Sequence, residues 1–340
     1  MIFKRMMKKF YPLFLFLLLS LVILFFVNNT IAKQAKLYEY LAQPATLIDL
    51  TEIKKPSLTL IFVGDVMLDR GVEYMVQEKG GGDFKWPFLR IADYLKKADI
   101  LFGNLESVIS DIGLRVGSIY SFRAEPEAIE GLTYAGFDIL SVANNHIFDY
   151  GRAAMEDSFK RLKEAGIEYI GGGFSEEEAR SPAIKDIKGT KIAYLAYTNL
   201  GSEYFAATED RSGIAWLDER ITEDIKTSKK KADIVTVSMH FGEEYQSQPT
   251  LEQKYFAHLA IDTGADLVIG HHPHIIQPIE RYKEGYIIYS LGNFVFDQGF
   301  SAETMKGLLL EVLVENGRIK TVIPKTIKLN PFFQPEMVGK

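Results

Sequence analysis

Four apolar runs in this chain open on the same pair, an aspartate followed by isoleucine or leucine, and that recurrence limits the fold more than any other feature. They are Asp99-Ile100-Leu101-Phe102, Asp138-Ile139-Leu140-Ser141-Val142, Asp233-Ile234-Val235-Thr236-Val237 and Asp266-Leu267-Val268-Ile269. Each follows a stretch of helical spacing (91–97, 126–135, 219–231 and 251–263) that gives way to Ala or Gly. Short apolar runs between helices are the pattern of strands buried on both faces of an α/β sheet, and they are too short to be buried helices. Irregular spacing between the units excludes a repeat protein.

Residues 58–63 supply a further strand, and two hairpins break the alternation. Segments 183–187 and 191–197 flank Lys188-Gly189-Thr190, and 308–314 and 318–324 flank Asn316-Gly317, a strong two-residue turn signal. A sheet fed by both crossovers and hairpins is mixed. Two such sheets covered by helices predict a four-layer αββα sandwich over residues 58–330, with 331–340 as a tail.

Ahead of this domain, residues 10–27 read FYPLFLFLLLSLVILFFV, eighteen residues without a charge. That length crosses a bilayer and exceeds the roughly 7–15 apolar residues of a cleavable signal peptide. The run has no polar face, so it does not read as a core helix. Lys4, Arg5, Lys8 and Lys9 precede it within residues 1–9, predicting a cytoplasmic N-terminus, a single-pass anchor in the cell membrane and an extracytoplasmic body. A cleaved signal ending near Ala32 is the alternative. Residues 28–57, with Pro44 and Pro56, read as a stalk. The formal net charge is −6 although four bases sit before the anchor, so the body is more acidic still and is a poor general binder of nucleic acid. Any anion it handles needs a local cation. The absence of cysteine excludes disulfides, thiolate ligands and Cys nucleophiles.

Chemistry sits directly after the strands. Asp65 follows the first, Asn104 and Glu106 the second, Asn144-Asn145-His146 the third, His240 the fourth and His271-His272-Pro273-His274 the fifth. Carboxyl ends of strands form the edge where α/β sheets bind ligands. Asp65, Glu106, Asn145, His240, His271, His272 and His274 together form an oxygen and imidazole donor set for divalent Mn, Fe, Zn or Mg. Only His258 of the six histidines falls elsewhere, inside a helix. Arg70 and Arg123 are candidate anion clamps, because guanidinium forks match carboxylate and phosphate bidentately; ion pairing is their structural alternative. Glu243 and Tyr245 follow His240 closely enough to line the site, and Asn293 and Asp297 end another strand, 286–291. The runs Gly80–Gly82 and Gly171–Gly173 lack the order of a dinucleotide cradle and read as loops.

The ordered motifs Gly64-Asp65-Val66-Met67-Leu68-Asp69-Arg70, Asn104-Leu105-Glu106, Tyr120-Ser121-Phe122-Arg123-Ala124, Asn144-Asn145-His146, His240-Phe241-Gly242-Glu243-Glu244-Tyr245, Gly270 to His274 and Leu291-Gly292-Asn293-Phe294 resemble the CapA family of poly-γ-glutamate capsule synthesis, within the calcineurin-like metallophosphoesterase superfamily. The resemblance covers most of residues 58–300 and implies two divalent metal ions between two sheets. It implies Asp65, Asn145 and His240 as ligands, with two of His271, His272 and His274. The Gly-His-x-His spacing favours His272 and His274, while His271 keeps the position after glycine. His146 is then implied as general acid, with Asp149 orienting it. Two departures stand out: Met67 replaces the histidine of Asp-x-His, and Asn104 replaces the metal-binding Asp of the second motif, leaving Glu106 as the bridging carboxylate.

The implied chemistry is hydrolysis or transfer at a phosphoester or acyl phosphate, with metal-bound hydroxide as nucleophile, in the synthesis or export of an anionic surface polymer. A non-catalytic metal-containing scaffold of a membrane synthase or export complex is the second reading. A nucleotide phosphodiesterase is the third, disfavoured by export.

Overall fold

The computed structural model describes residues 2–41, 55–116 and 119–338. The chain divides into two units at residues 53 and 54. The described residues of the first form the helix Ile2–Leu41, and within it Leu17–Lys36 is long and apolar enough to cross a membrane, with mean hydropathy 1.5. Its Leu17, Leu21, Phe25 and Phe26 side chains are exposed. Such a surface needs an apolar surrounding, as a membrane anchor or a signal sequence has. The helix outlasts the uncharged run, so the first part of the predicted stalk is helical; residues 42–54 of that stalk lie outside the described residues.

In the second unit, eight strands form one mixed sheet. Its order runs Pro335–Met337, Arg318–Leu329, Lys306–Glu315, Leu58–Val66, Ile100–Leu105, Ile139–Ser141, Glu168–Ile170, with Asn293–Val295 pairing to the end of Leu58–Val66. Six strands form the other: Ile279–Tyr282, Gly285–Ile288, Leu267–His271, Ile234–His240, Thr190–Thr198, Ala183–Ile187. The strands that open on Asp-Ile or Asp-Leu pair in parallel with their neighbours, as crossover connections require. Both hairpins form, and the turn residues Asn316 (φ 53°) and Gly317 (φ 73°) take the positive φ that a twist-matched two-residue turn demands.

Three apolar layers hold the sandwich together. Leu60, Phe62 and Phe102 of the first sheet meet Tyr194, Ile234 and Ile269 of the second, all buried. The Phe102 and Tyr194 rings stack at 6.1 Å, and Phe62 lies 5.5 Å from Phe102. Burying each such side chain contributes about 1.5–3 kcal/mol. Val72, Leu132, Met155 and Phe159 pack helices onto the outer face of the first sheet, and Ile221, Ile225, Phe256 and Ala260 do so on the second. The predicted αββα architecture is therefore present.

Two expectations need correction. The presumed tail from 331 contributes Pro335–Met337 as an edge strand against Arg318–Leu329, so the fold extends at least to Met337. Gly172–Gly173, read as loop, pairs with Gly213–Ile214. Gly173 is confined there because a Cβ would fall 2.5 Å from the Ala179 nitrogen.

Candidate metal centre

Strand register brings the polar residues to one edge. Asp65 sits beside Asn104 on one side and Asn293 on the other, and in the facing sheet His240 sits beside His271. The approach is close. At Gly64 a Cβ would lie 1.8 Å from the Gly292 carbonyl oxygen, and at Gly270 1.9 Å from that of Tyr289, so any larger residue displaces Asp65 or His271. Beyond Gly270 the backbone turns sharply, with φ of 94° at His272 and 58° at His274. Positive φ at non-glycine residues costs on the order of 1–3 kcal/mol and persists where surrounding contacts impose it. Here the His272 amide donates to Asp65 Oδ2 at 3.3 Å, and the Tyr245 amide to the Pro273 carbonyl at 2.9 Å.

Two groups of donors result, each with its atoms within 4.8 Å of one another: Asp65, Glu106 and His240, and Glu106, His272 and His274. Glu106 belongs to both. All five side chains are buried. His271 also approaches, its Nδ1 lying 3.2 Å from Asp65 Oδ1. Several donor atoms have no hydrogen-bond partner: Glu106 Oε1, His272 Nδ1 and His271 Nε2. Buried polar atoms are nearly always paired, so this concentration of unsatisfied lone pairs and carboxylate charge fits a divalent cation. Burial, then the adjacent His272, pushes His240 well below the usual imidazole range. Burial, then His274, brings His272 down to about 3. Both rings are thus neutral, the form that binds metals. Burial opposes ionisation of Asp65, but the nearby His271 and His274 outweigh it and hold the carboxyl well below its ordinary value. Burial, then the charge of Asp65, drives Glu106 well above its own. Two carboxyls in one dry site without a cation cannot both ionise freely.

Beside the centre, His146 Nδ1 is 2.7 Å from Asp149 Oδ2, its ring lies 4.0 Å from that of Phe122, and Nε2 points towards Glu106 Oε1 at 3.9 Å. A cavity of about 390 Å³ opens there, lined by Asn145, His146, Asp149, His272, Phe148 and Phe205, among others.

The sequence pattern of one family, described as bacterial capsule synthesis protein PGA_cap, matches residues 59–298. The chain belongs to this family. A capsule biosynthesis protein CapA of Bacillus anthracis is 33% identical over 301 residues, covering 84% of this chain and 72% of that one. A PGA biosynthesis protein CapA of Bacillus subtilis (strain 168) is 33% identical over 264 residues, covering 76% and 69%. Among solved structures, a hypothetical protein from Thermus thermophilus shares the fold with a TM-score of 0.51 at 17% identity, over 80% of this chain and 99% of that one.

Within this PGA_cap member, several residues take places other than those expected. Arg70 is no free clamp: it forms a bidentate ion pair with Asp297, whose carboxylate also accepts the Gly71 amide. Asn293 packs against His274 instead of standing at the surface. It is fully buried, its Oδ1 3.0 Å from His274 Nδ1, while its amide donates to Gln298, which in turn donates to the Tyr245 hydroxyl at 3.2 Å. A hydrogen-bonded chain thus runs from Tyr245 through Gln298 and Asn293 to His274. Glu243 is exposed. Arg123 keeps a guanidinium without a carboxylate partner among the described residues, 4.3 Å from the Tyr150 ring. Asn104 turns its Nδ2 towards Asp65 Oδ1 (2.8 Å), Glu106 Oε2 (3.3 Å) and His240 Nδ1 (3.2 Å), which makes it an organiser of donors. Asn145 Oδ1 lies 2.7 Å from His240 Nε2. Met67 is buried and its sulfur accepts from the Asp69 amide. Sequence reasoning assigned nothing to Asn144, which is fully buried and donates to the Leu105 carbonyl at 2.8 Å and to Asn104 Oδ1 at 3.4 Å, while its oxygen accepts from the His146 amide. The signal was its place in the Asn-Asn-His motif.

Proposed function

We propose that this protein is a membrane-anchored, extracytoplasmic hydrolase or transferase acting on a phosphoester or acyl phosphate during synthesis or export of an anionic surface polymer such as poly-γ-glutamate, with two divalent cations. Asp65, Glu106 and His240 would hold one cation with Asn145 nearby, and Glu106, His272 and His274 the other. Cations bound there supply Lewis acidity towards phosphoryl oxygens and lower the pKa of a bound water. His146 protonates the departing oxygen as its bond to phosphorus breaks and water's oxygen takes its place. Asp149 accepts from Nδ1, fixing the ring so that Nε2 carries the transferred proton towards the centre. Phe122 against the imidazole restricts its rotation.

The supporting observation is the convergence, from both sheets, of two donor groups sharing Glu106 beside an oriented histidine. Full-length protein in detergent, loaded with Mn²⁺, should contain close to two metal ions per chain and hydrolyse aryl phosphate mono- or diesters. His146→Ala should lower turnover by about 10²–10⁴-fold without changing metal content. Metal retained without turnover across such a panel would reject the catalytic reading and leave the scaffold.

A further inference from the structure

Besides Arg123, Arg152 and Arg211 have no counter-ion among the described residues, and aromatic rings are what their guanidinium groups meet instead. Arg152 lies in the first turn of the helix Gly151–Glu164, where the macrodipole disfavours a cation and no acidic side chain offsets it. Its Nη1 and Nη2 are buried without hydrogen-bond partners, and its guanidinium rests 5.0 Å from the Phe148 ring and 5.5 Å from that of Tyr204. Arg211 reaches the same tyrosine, 4.5 Å from its ring, with Nε buried and unpartnered and Nη2 donating to the Ala206 carbonyl at 3.4 Å. Acids close in sequence are engaged elsewhere: Glu156 accepts from the Ser212 hydroxyl and Asp210 from that of Thr208. By contrast Arg161, Arg180 and Arg220 each pair with a carboxylate at 2.7, 2.7 and 2.5 Å.

Phe148 connects the pair to the centre. It lines the cavity that His146 and His272 share, and it stacks on Phe205 at 4.3 Å. Tyr204, the next ring, is 63% exposed and so available to a ligand. We propose that Arg152 and Arg211, meeting at Tyr204, bind a carboxylate of an extended polyanionic chain whose reacting group lies at the metal centre. Guanidinium forks suit carboxylates, and the rings of Phe148, Phe205 and Tyr204 give methylene segments and amide planes a face to lie on. A chain of carboxylate-bearing amide units uses both features, whereas an isolated phosphate uses only the charge. The position of the reacting group rests on the proposed function; the binding of the carboxylate does not.

The test is isothermal titration of the full-length protein in detergent and EDTA with a γ-linked glutamate oligomer, an uncharged γ-linked glutamine oligomer and inorganic phosphate. The glutamate oligomer should bind and the glutamine oligomer should not. The double variant Arg152→Gln/Arg211→Gln should bind the glutamate oligomer about tenfold more weakly or worse, and Arg152→Lys, which keeps the charge but not the fork, by a smaller factor. Thermal melts check that the variants fold, and if the double glutamine variant does not, Arg152→Lys/Arg211→Lys carries the same comparison. Unchanged binding by the double variant overturns the proposal, as does arginine-dependent binding of phosphate but not of the glutamate oligomer. Since chelator is present, loss of turnover on the phosphoester panel leaves this result standing.

Discussion

Glu106→Gln is expected to shift stability in opposite directions with and without metal. In chelator the wild-type carboxyl is fully buried, Oε1 has no hydrogen-bond partner, and the charge of Asp65 opposes its ionisation. A buried acceptor left unpaired costs about 1–3 kcal/mol, more when charged. Glutamine removes the cost of keeping an ionisable carboxyl in this site, keeps an oxygen for the Asn104 amide at 3.3 Å, and places its own amide where Oε1 now lies, 3.5 Å from His274 Nε2. The metal-free variant should therefore gain about 1–3 kcal/mol, or roughly 2–10 °C in Tm for a domain of this size. A cation at about a hundred times its Kd stabilises wild type by about 2.7 kcal/mol, and two such cations by about 5 kcal/mol, more than the gain expected of the metal-free variant. The variant, lacking the carboxylate common to both donor groups, should gain little of this. Calorimetric melts of the full-length chain in EDTA and in Mn²⁺ should thus exchange rank. A variant that melts below wild type in EDTA, or rises as far in Mn²⁺, refutes the reasoning.

Asp149→Asn should lower turnover about 10–100-fold with metal content unchanged, because it loosens the tautomer and orientation of His146; an unaltered kcat would remove Asp149 from the mechanism. Phe102→Ala, in the fully buried ring cluster between the sheets, should cost about 3–5 kcal/mol in urea unfolding, and a loss under about 1 kcal/mol would mean the layer repacks, against the usual behaviour of interiors at this density. Glu73 is raised to about 7 by burial and then by the negative charges of Asp69 and Glu125. Its proton is held more tightly in the folded state, so its cost to stability grows as pH rises from the unfolded value of 4.5 to about 7 and stays level above. Glu73→Gln should leave Tm nearly unchanged at pH 4 and raise it at pH 8, and a gain equal at both would contradict that origin.

Much of the fold was legible because strands buried on both faces read as unbroken apolar runs, and because Asn316-Gly317 specifies its turn by local sterics alone. Edge elements were not: Pro335–Met337 and Gly172–Gly173 are too short to show a period, and only their partners make them strands. At the centre, Asp65, Glu106 and His240 follow directly from their place after a strand. The choice among His271, His272 and His274 does not, because positive φ at two of them changes which way each ring faces. Arg70 looks like a clamp in sequence only because its partner, Asp297, is 227 residues away. Arg152 carries no signal in the sequence, since the lack of a counter-ion is a property of the folded molecule.

Asp65 and Glu106 stand at strand ends of one sheet and His240, His272 and His274 at those of the other, which has a mechanical consequence. Sliding one layer past its neighbour by a single residue step, about 3.3 Å, would carry His240 away from Asn104 and His271 away from Asp65 while leaving every strand pairing intact. Cation affinity therefore serves as a gauge of interlayer alignment, and a substitution deep between the layers can empty the site in a chain that still melts cooperatively.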